Sequence, residues 1–232
     1  FIEGVFMQAE KQNRNNRIYP KTVLETACNK YIKEQVEAGR EGLDGILVAP
    51  GFGERGFEGK VATVQYAREN KIPYFGICYG MQAAVIEYAR NVVGWTDANT
   101  TEVDPKSSKP VIALMDEQHH ITDMGGTMRL GAQKCELSKD SKAFEAYGET
   151  AITERHRHRY EYNNDYKEEL VAAGLKATGI NPESGLVEVI EIEDHPFFVG
   201  VQYHPEYKST VLNPHPLFVS FVKAADLHRQ NK

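Results

Sequence analysis

From about Leu43 onward, short apolar runs of strand length alternate with stretches whose apolar residues recur at helical spacing. That alternation predicts an α/β domain with a largely parallel, doubly wound sheet. GILVAP (Gly45 to Pro50) reads as a buried strand that breaks into the turn GFGERG, and Phe57 to Asn70 has helical spacing. IPYFGIC, from Ile72 to Cys78, is the next strand; MQAAVIEYARNVV (Met81 to Val93) is a helix ended by Gly94. A polar linker, WTDANTTEVDPKSSKP, leads to the apolar run VIALM, then to a loop containing GGTMRLG, a strand pair around Cys135 and the helix KAFEAYG. VEVIEI and FFVGVQY are late strands, and PLFVSFVKAADLHRQ is a terminal helix. The chain contains no internal repeat and no low-complexity segment.

Composition narrows the picture without changing it. At 232 residues and 41% hydrophobic, with 10 Phe and 12 Tyr, the chain can bury the core of one large domain or of one domain with an appendage. The net charge of −6 hides a single short basic cluster, Arg155 to Arg159, so neither nucleic acid nor an anionic membrane is the expected partner. No apolar run approaches a membrane span, and FIEGVFMQAEKQ lacks the basic lead and apolar stretch of a signal peptide, which predicts a cytoplasmic protein. Cys28, Cys78 and Cys135 are too scattered for a disulfide framework or a zinc ribbon; free thiols and no metal site are expected.

Cys78 lies between Gly76 and Gly80, where a strand runs into a helix. This is the arrangement of a nucleophile elbow, in which glycines allow a tight turn and close passage of neighbouring backbone. The N–H groups and dipole at the start of the following helix favour thiolate over thiol. The plain alternative is a cysteine buried as a small hydrophobe. Cys28 and Cys135 lack the glycine flanks and fit that alternative.

A nucleophilic cysteine needs a base, and the base an orienting group. His204 follows FFVGVQY and sits in YHPE, two residues before Glu206. Pro205 stiffens the strand end, and period-two spacing projects His204 and Glu206 to the same side, so that a carboxylate can hold the imidazole in one tautomer. Alone, YHPE also reads as a surface turn, as His195-Pro196 and His215-Pro216 do. Together, the two motifs describe a Cys78–His204–Glu206 triad at the carboxyl edge of a sheet.

GICYGMQ, YHPE and GFGERG resemble the triad-type, class I glutamine amidotransferases, a flavodoxin-like α/β fold. ANTTEVDP, GGTMRLGAQ and ERHRHRYEYNN resemble, more narrowly, the glutaminase domains of the CTP synthase family, over about residues 42–232. The resemblance implies that Cys78 attacks the side-chain amide of L-glutamine, that a thioester forms and ammonia leaves, and that water then releases glutamate. His204 is the implied acid and base and Glu206 its orienter. It further implies Gly51 and the Tyr79 N–H on the oxyanion side, Gly80, Met81 and Gln82 along the substrate, Glu102 at the α-amino group and Arg159 at the α-carboxylate. The region of Arg129 is one the family associates with the activator GTP and with ammonia passage. No cofactor is implied for this chain, since ATP and Mg belong to the synthase domain that uses the ammonia.

Two departures stand beside the resemblance. The oxyanion loop reads Ala49-Pro50-Gly51-Phe52-Gly53 where the family has Pro-Gly-Gly-Phe-Gly. Proline has no N–H and a fixed φ, so slower acylation is expected. The synthase domain and the opening strands of the glutaminase domain are missing from the pattern. Residues 1–41, including EGVFMQAEKQNRNNRIYP, instead resemble the amino-terminal segment of tailed-phage prohead proteases. This predicts an appendage over 1–41 and an amidotransferase domain over 42–232. It also leaves two further readings, a weak glutamine-binding module and a capsid-assembly fusion.

Overall fold

The computed structural model describes residues 44–114 and 128–231. The expected 41/42 boundary, the amino-terminal strand and helix, and Cys28 lie outside the described residues. The described chain runs β1 (Ile46–Val48), α1 (Phe57–Glu69), β2 (Tyr74–Ile77), α2 (Tyr79–Tyr88, prolonged by a π turn over Ala89–Val93), β3 (Asn99–Thr100) and β4 (Pro110–Ala113). It continues with β5 (Arg129–Leu137), α3 (Lys142–Tyr147), β6 (Ala151–His158), β7 (Glu161–Tyr162), α4 (Lys167–Ala172), β8 (Leu175–Ile180), β9 (Val187–Ile192), β10 (Phe198–Val201) and α5 (Pro216–Gln230). No helix among the described residues is long and apolar enough to cross a membrane.

Seven strands form one sheet in the order β1-β2-β10-β9-β8-β5-β6, and β3-β4-β7 form a second. The α/β class holds, but parallel pairing in the large sheet is confined to β1, β2 and β10. Strands β9, β8, β5 and β6 extend it in antiparallel fashion. The connections over residues 181–186 and 193–197 are too short for the crossover that a parallel pair needs, so antiparallel pairing is the one available. The parallel part is the part that carries the cysteine.

Alternation along β2 and β10 feeds two cores. Tyr74 and Phe198 belong to the cluster that includes Val61 and Val64 of α1 and Ala83 and Ile86 of α2. Phe75, Ile77, Val199 and Val201 join Ala143 of α3 and Leu217 and Phe221 of α5 on the other face. Tyr74 stacks on Phe198 at 4.5 Å, and Phe75 meets Phe218 edge-on at 5.5 Å. Each fully buried aromatic of this kind contributes roughly 2–3 kcal/mol by leaving water. With both faces covered, the carboxyl ends of β2 and β10 are held side by side, and the motifs containing Cys78 and His204 follow them directly.

Helix ends follow their local chemistry. Gly94 closes the turn after α2 at φ 89°, a conformation that favours glycine. At α5, Pro216 occupies the first turn and the His215 side chain accepts from the Leu217 N–H.

Candidate active site

Strand β2 ends at Ile77 and α2 begins at Tyr79, so Cys78 takes the whole change of direction, at φ 51° and ψ −100°. A positive φ at a non-glycine residue stores on the order of 1–3 kcal/mol, and the surroundings must over-determine it. They do. The Cys78 N–H donates to Val201 O at 2.7 Å, and the Gln82 N–H donates back to Cys78 O at 3.2 Å. A Cβ on Gly80 would lie 2.3 Å from the Val48 carbonyl oxygen, and one on Gly76 would lie 2.8 Å from the Gly80 carbonyl carbon. The buried Tyr74 hydroxyl donates to Gly80 O at 2.9 Å and ties the turn to the strand beneath it. The glycines flanking the cysteine are therefore demanded by backbone approaching from β1 and from the turn itself.

The helix start does not make Cys78 a thiolate, as its position had suggested. Burial pushes the thiol up to about 12; the Tyr79 N–H opposes this only in part, and Glu161, Glu206 and Glu102 push the same way. Only 4% of the residue is exposed, so desolvation outweighs the dipole at the end of α2. The sulfur rests protonated, and a base must take the proton as it attacks.

His204 lies beyond the end of β10, with its N–H donating to Arg155 O of β6 at 2.8 Å. Its Nδ1 is 2.6 Å from Glu206 Oε1. A carboxylate accepts, so Nδ1 carries the proton and Nε2 is left with its lone pair. That Nε2 is buried and has no hydrogen-bond partner in the described structure. Glu206 reaches the ring by a different route from the one its spacing suggested. Residues Pro205–Lys208 form a 3-10 turn, so the carboxylate comes around one turn instead of along a strand.

Cys78 and His204 line one cavity of about 560 Å³, together with Gly51, Gln82, Glu102 and Arg159. Glu102 Oε1 accepts from the Gly53 N–H at 2.9 Å. Burial raises this carboxyl, while the Gly53 N–H and Arg159 counter it. One carboxylate, Glu102, and two guanidiniums, Arg157 and Arg159, thus share a cavity with the sulfur. Glu206 stands behind the imidazole and does not line the cavity. The Tyr79 hydroxyl donates to Gly53 O at 2.5 Å, and Met81 is packed in the core, so at these positions, as at Gly80, only backbone is left for a ligand. Pro50 lines the cavity beside Gly51, where the expected loss of a donor N–H would be felt.

Several residues at the site had no signal of their own in the sequence. Tyr207 lines the cavity and stacks on His204, with centroids 5.2 Å apart and planes 23° from parallel; the Arg155 guanidinium lies 5.1 Å from the Tyr207 ring centre. Phe52, 85% exposed, sits at the cavity wall. Gln202 is wholly buried beside the sulfur. The basic cluster divides by strand alternation: Arg155 and Arg157 are exposed, Arg157 on the cavity wall, whereas Glu154, His156 and His158 are buried. His156 and His158 contact each other at 2.8 Å, and burial holds them down to about 2 and about 3 respectively. Arg129 is bound inside by Glu188 at 2.6 Å and Glu161 at 3.6 Å. Among the described residues no three His, Cys, Asp or Glu side chains are placed to hold a metal ion.

Comparison with known proteins gives the chain a family. Residues 10–224 match the family described as glutamine amidotransferase class-I. The chain is 69% identical over 189 residues to the CTP synthase of Flavobacterium psychrophilum, covering 82% of this chain and 35% of that protein. It is 54% identical over 226 residues to the CTP synthase of Caldanaerobacter subterraneus subsp. tengcongensis, covering 96% of this chain and 42% of that one. Among solved structures, the glutaminase domain of Trypanosoma brucei CTPS with bound acivicin is similar, with 42% identity and a TM-score of 0.75, covering 85% of this chain and 78% of that one. The chain spans about a third to two fifths of the length of these curated relatives.

Proposed function

Because the chain belongs to the class I glutamine amidotransferase family, we propose that it hydrolyses L-glutamine to glutamate and ammonia through Cys78, His204 and Glu206. The observation that carries the reading is the cavity: a strained cysteine and an imidazole with a bare Nε2 line the same space as one carboxylate, Glu102, and two guanidiniums, Arg157 and Arg159. Glutamine is a zwitterion, and Glu102 and Arg159 supply the charges opposite to its α-amino and α-carboxylate groups. The side-chain amide would then extend toward the sulfur.

In the first step the Sγ–C bond forms as His204 Nε2 takes the thiol proton, and that proton is given to the departing nitrogen, which leaves as ammonia. His204 Nε2, free again of its proton, then deprotonates water, which attacks the thioester carbonyl; the C–Sγ bond breaks, glutamate is released and the proton returns to Sγ. The Tyr79 N–H, and backbone in the Gly51 region, are the donors for the oxyanion of each tetrahedral intermediate. Glu206 keeps the ring in the tautomer both steps need.

The relatives are named CTP synthase, and the fitting role for the ammonia is supply to a synthase domain that aminates UTP with ATP and Mg in the cytoplasm, with GTP as activator. A second reading, a capsid-assembly function, rests on the resemblance read from EGVFMQAEKQNRNNRIYP alone, a stretch most of which the class I amidotransferase match, beginning at residue 10, also covers. Co-purification with capsid components would favour it.

The test is glutamate release from glutamine by the intact chain, with Cys78→Ala as the control. A glutamine-analogue electrophile should label Cys78 and leave Cys135, which is buried away from the cavity. Equal labelling of the two, or turnover that survives Cys78→Ala, would remove the assignment.

A further inference from the structure

We propose that Gln202 is a further catalytic residue: its side-chain amide donates a hydrogen bond to Cys78 Sγ and holds the sulfur as its proton leaves. The Gln202 Nε2 lies 3.7 Å from Cys78 Sγ, a normal distance for an N–H donor to sulfur. The residue is fully buried, 0% exposed, so the amide has no solvent to turn to.

The direction of this amide is fixed by its neighbour. Gln82 Nε2 lies 2.9 Å from Tyr160 O, a backbone carbonyl that can only accept. The atom facing that carbonyl must therefore be the Gln82 nitrogen. The same nitrogen is 3.2 Å from Gln202 Oε1, so its second hydrogen goes there and Gln202 accepts on its oxygen. What remains of Gln202 is its NH₂ group, and that group faces the sulfur. Tyr160, Gln82, Gln202 and Cys78 thus form one directed chain of donors, anchored at a backbone carbonyl and ending on the reacting atom.

The chemistry needs such a donor. Burial and three carboxylates disfavour the thiolate, and the Tyr79 N–H offsets only part of that effect. A neutral thiol accepts weakly from an amide N–H, whereas a thiolate accepts strongly, since hydrogen bonds to charged groups are about twice as strong as neutral ones. The contact therefore gains strength as charge develops, which is the condition for lowering a barrier instead of only binding the ground state. Gln82, expected along the substrate, is by this geometry also a positioning residue that acts through Gln202. The idea rests on the glutaminase reading, but it can be tested without turnover.

The experiment uses the intact chain and its Gln202→Met, Gln82→Met and double variants, Met being close in volume and unable to donate. The rate of Cys78 alkylation by iodoacetamide is followed from pH 7 to pH 10, with the site assigned by peptide mass. Gln202→Met should alkylate about tenfold more slowly at each pH, an upward shift of about one unit in the thiolate profile. Gln82→Met should move the same way by less, and the double variant should match Gln202→Met, because the Gln82 side chain acts on the sulfur through the Gln202 amide. With glutamine, kcat should fall while KM holds for Gln202→Met. A folded Gln202→Met whose profile superimposes on the unmodified chain overturns the proposal. Should Gln202→Met fail to fold, an unmoved Gln82→Met profile overturns it equally. If the unmodified chain releases no glutamate while these profiles still separate, the functional reading fails and the contact stands.

Discussion

The Nδ1 of His204 is 2.6 Å from Glu206 Oε1, and this contact decides which end of the imidazole can take a proton. Glu206 is 38% exposed on its side chain, so water competes for it, and its role is orientation more than charge. Glu206→Gln offers the ring an amide that can donate as well as accept, which admits the wrong tautomer. Glutamine turnover should fall by about 10²-fold with KM little changed, short of the roughly 10⁴-fold seen where such an orienting carboxylate is fully buried. Steady-state kinetics of the folded variant are the measurement. A loss in KM alone would make Glu206 a substrate contact.

Gly80 gives a prediction about the fold that supports the site. A Cβ there would sit 2.3 Å from the Val48 carbonyl oxygen; the Cβ is fixed by its own backbone and the oxygen is backbone, so neither can swing aside. Gly80→Ala should cost about 3 kcal/mol or more. For a domain of this size that lowers the thermal midpoint by roughly 6–12 °C. Gly59, in α1, has open space where its Cβ would be and serves as the opposite case. Gly59→Ala should stabilise by about 0.5–1 kcal/mol through helix propensity alone. Thermal melts of both variants decide the matter, and equal shifts would mean that the close approach at Gly80 carries no strain.

Elements that announce themselves by period were legible, and those held by partners were not. The runs GILV, YFGI, VEVI and FVGV are dense in β-branched and aromatic residues because helices or neighbouring strands cover both their faces, and each became a strand. Strand β8, LKATGI, has no such signal. Its Gly179 is there because a Cβ would meet Val189 Cγ2 at 2.5 Å and Cys135 Sγ at 2.9 Å, a requirement set by chain nearby in space and not in sequence. The antiparallel direction of β9, β8, β5 and β6 was hidden in the same way, since alternation of strands and helices does not say which strands return by short connections. At the site, Cys78 and His204 could be found because turn chemistry and a His-x-Glu spacing are local. Gln202 was hidden inside the apolar run FFVGVQY, where one polar residue reads as noise until its partner at position 82 is known.

His195 makes the fold sensitive to acid at a place remote from the chemistry. Its Nε2 is 3.2 Å from Ala67 O and its Nδ1 accepts from the Phe197 N–H at 3.3 Å, so the neutral ring satisfies both contacts and a second proton would break one. Burial holds the group down to about 4, with Lys71 and Lys142 adding to the effect. In the unfolded chain it titrates near 6.5. Below that pH the unfolded state binds the proton and the folded state refuses it, so stability is present above about 6.5 and drains away as pH falls toward 4. The full loss is about 3 kcal/mol. His195→Gln should destabilise at pH 7 yet be less acid-sensitive, so that the gap in thermal midpoint to the unmodified chain narrows by pH 5. A gap that stays constant would show that other groups govern the acid limb.

Tyr207 should matter for turnover although it has no acid–base role. One hydrogen bond to a part-exposed carboxylate leaves the His204 ring free to rock about the Nδ1 contact. The Tyr207 ring closes one face, stacked at 5.2 Å, and the Arg155 guanidinium lies over the Tyr207 ring at 5.1 Å while the Arg155 carbonyl holds the His204 N–H. Aromatic pairs of this kind contribute about 0.5–1.5 kcal/mol, so removing the stack should reduce the population of correctly aimed rings, and kcat with it, by roughly 3- to 10-fold. Tyr207→Leu should show that fall. Tyr207→Phe keeps the ring and loses only the hydroxyl, and should turn over like the unmodified chain. Arg155→Met should lie between them, because the cation is removed but the carbonyl that grips His204 remains. A rim residue of the cavity could also act by touching substrate, and KM separates the two: a stacking role moves kcat, a substrate contact moves KM. If Tyr207→Phe falls as far as Tyr207→Leu, the hydroxyl and not the stack is the working part, and the clamp on His204 is wrong.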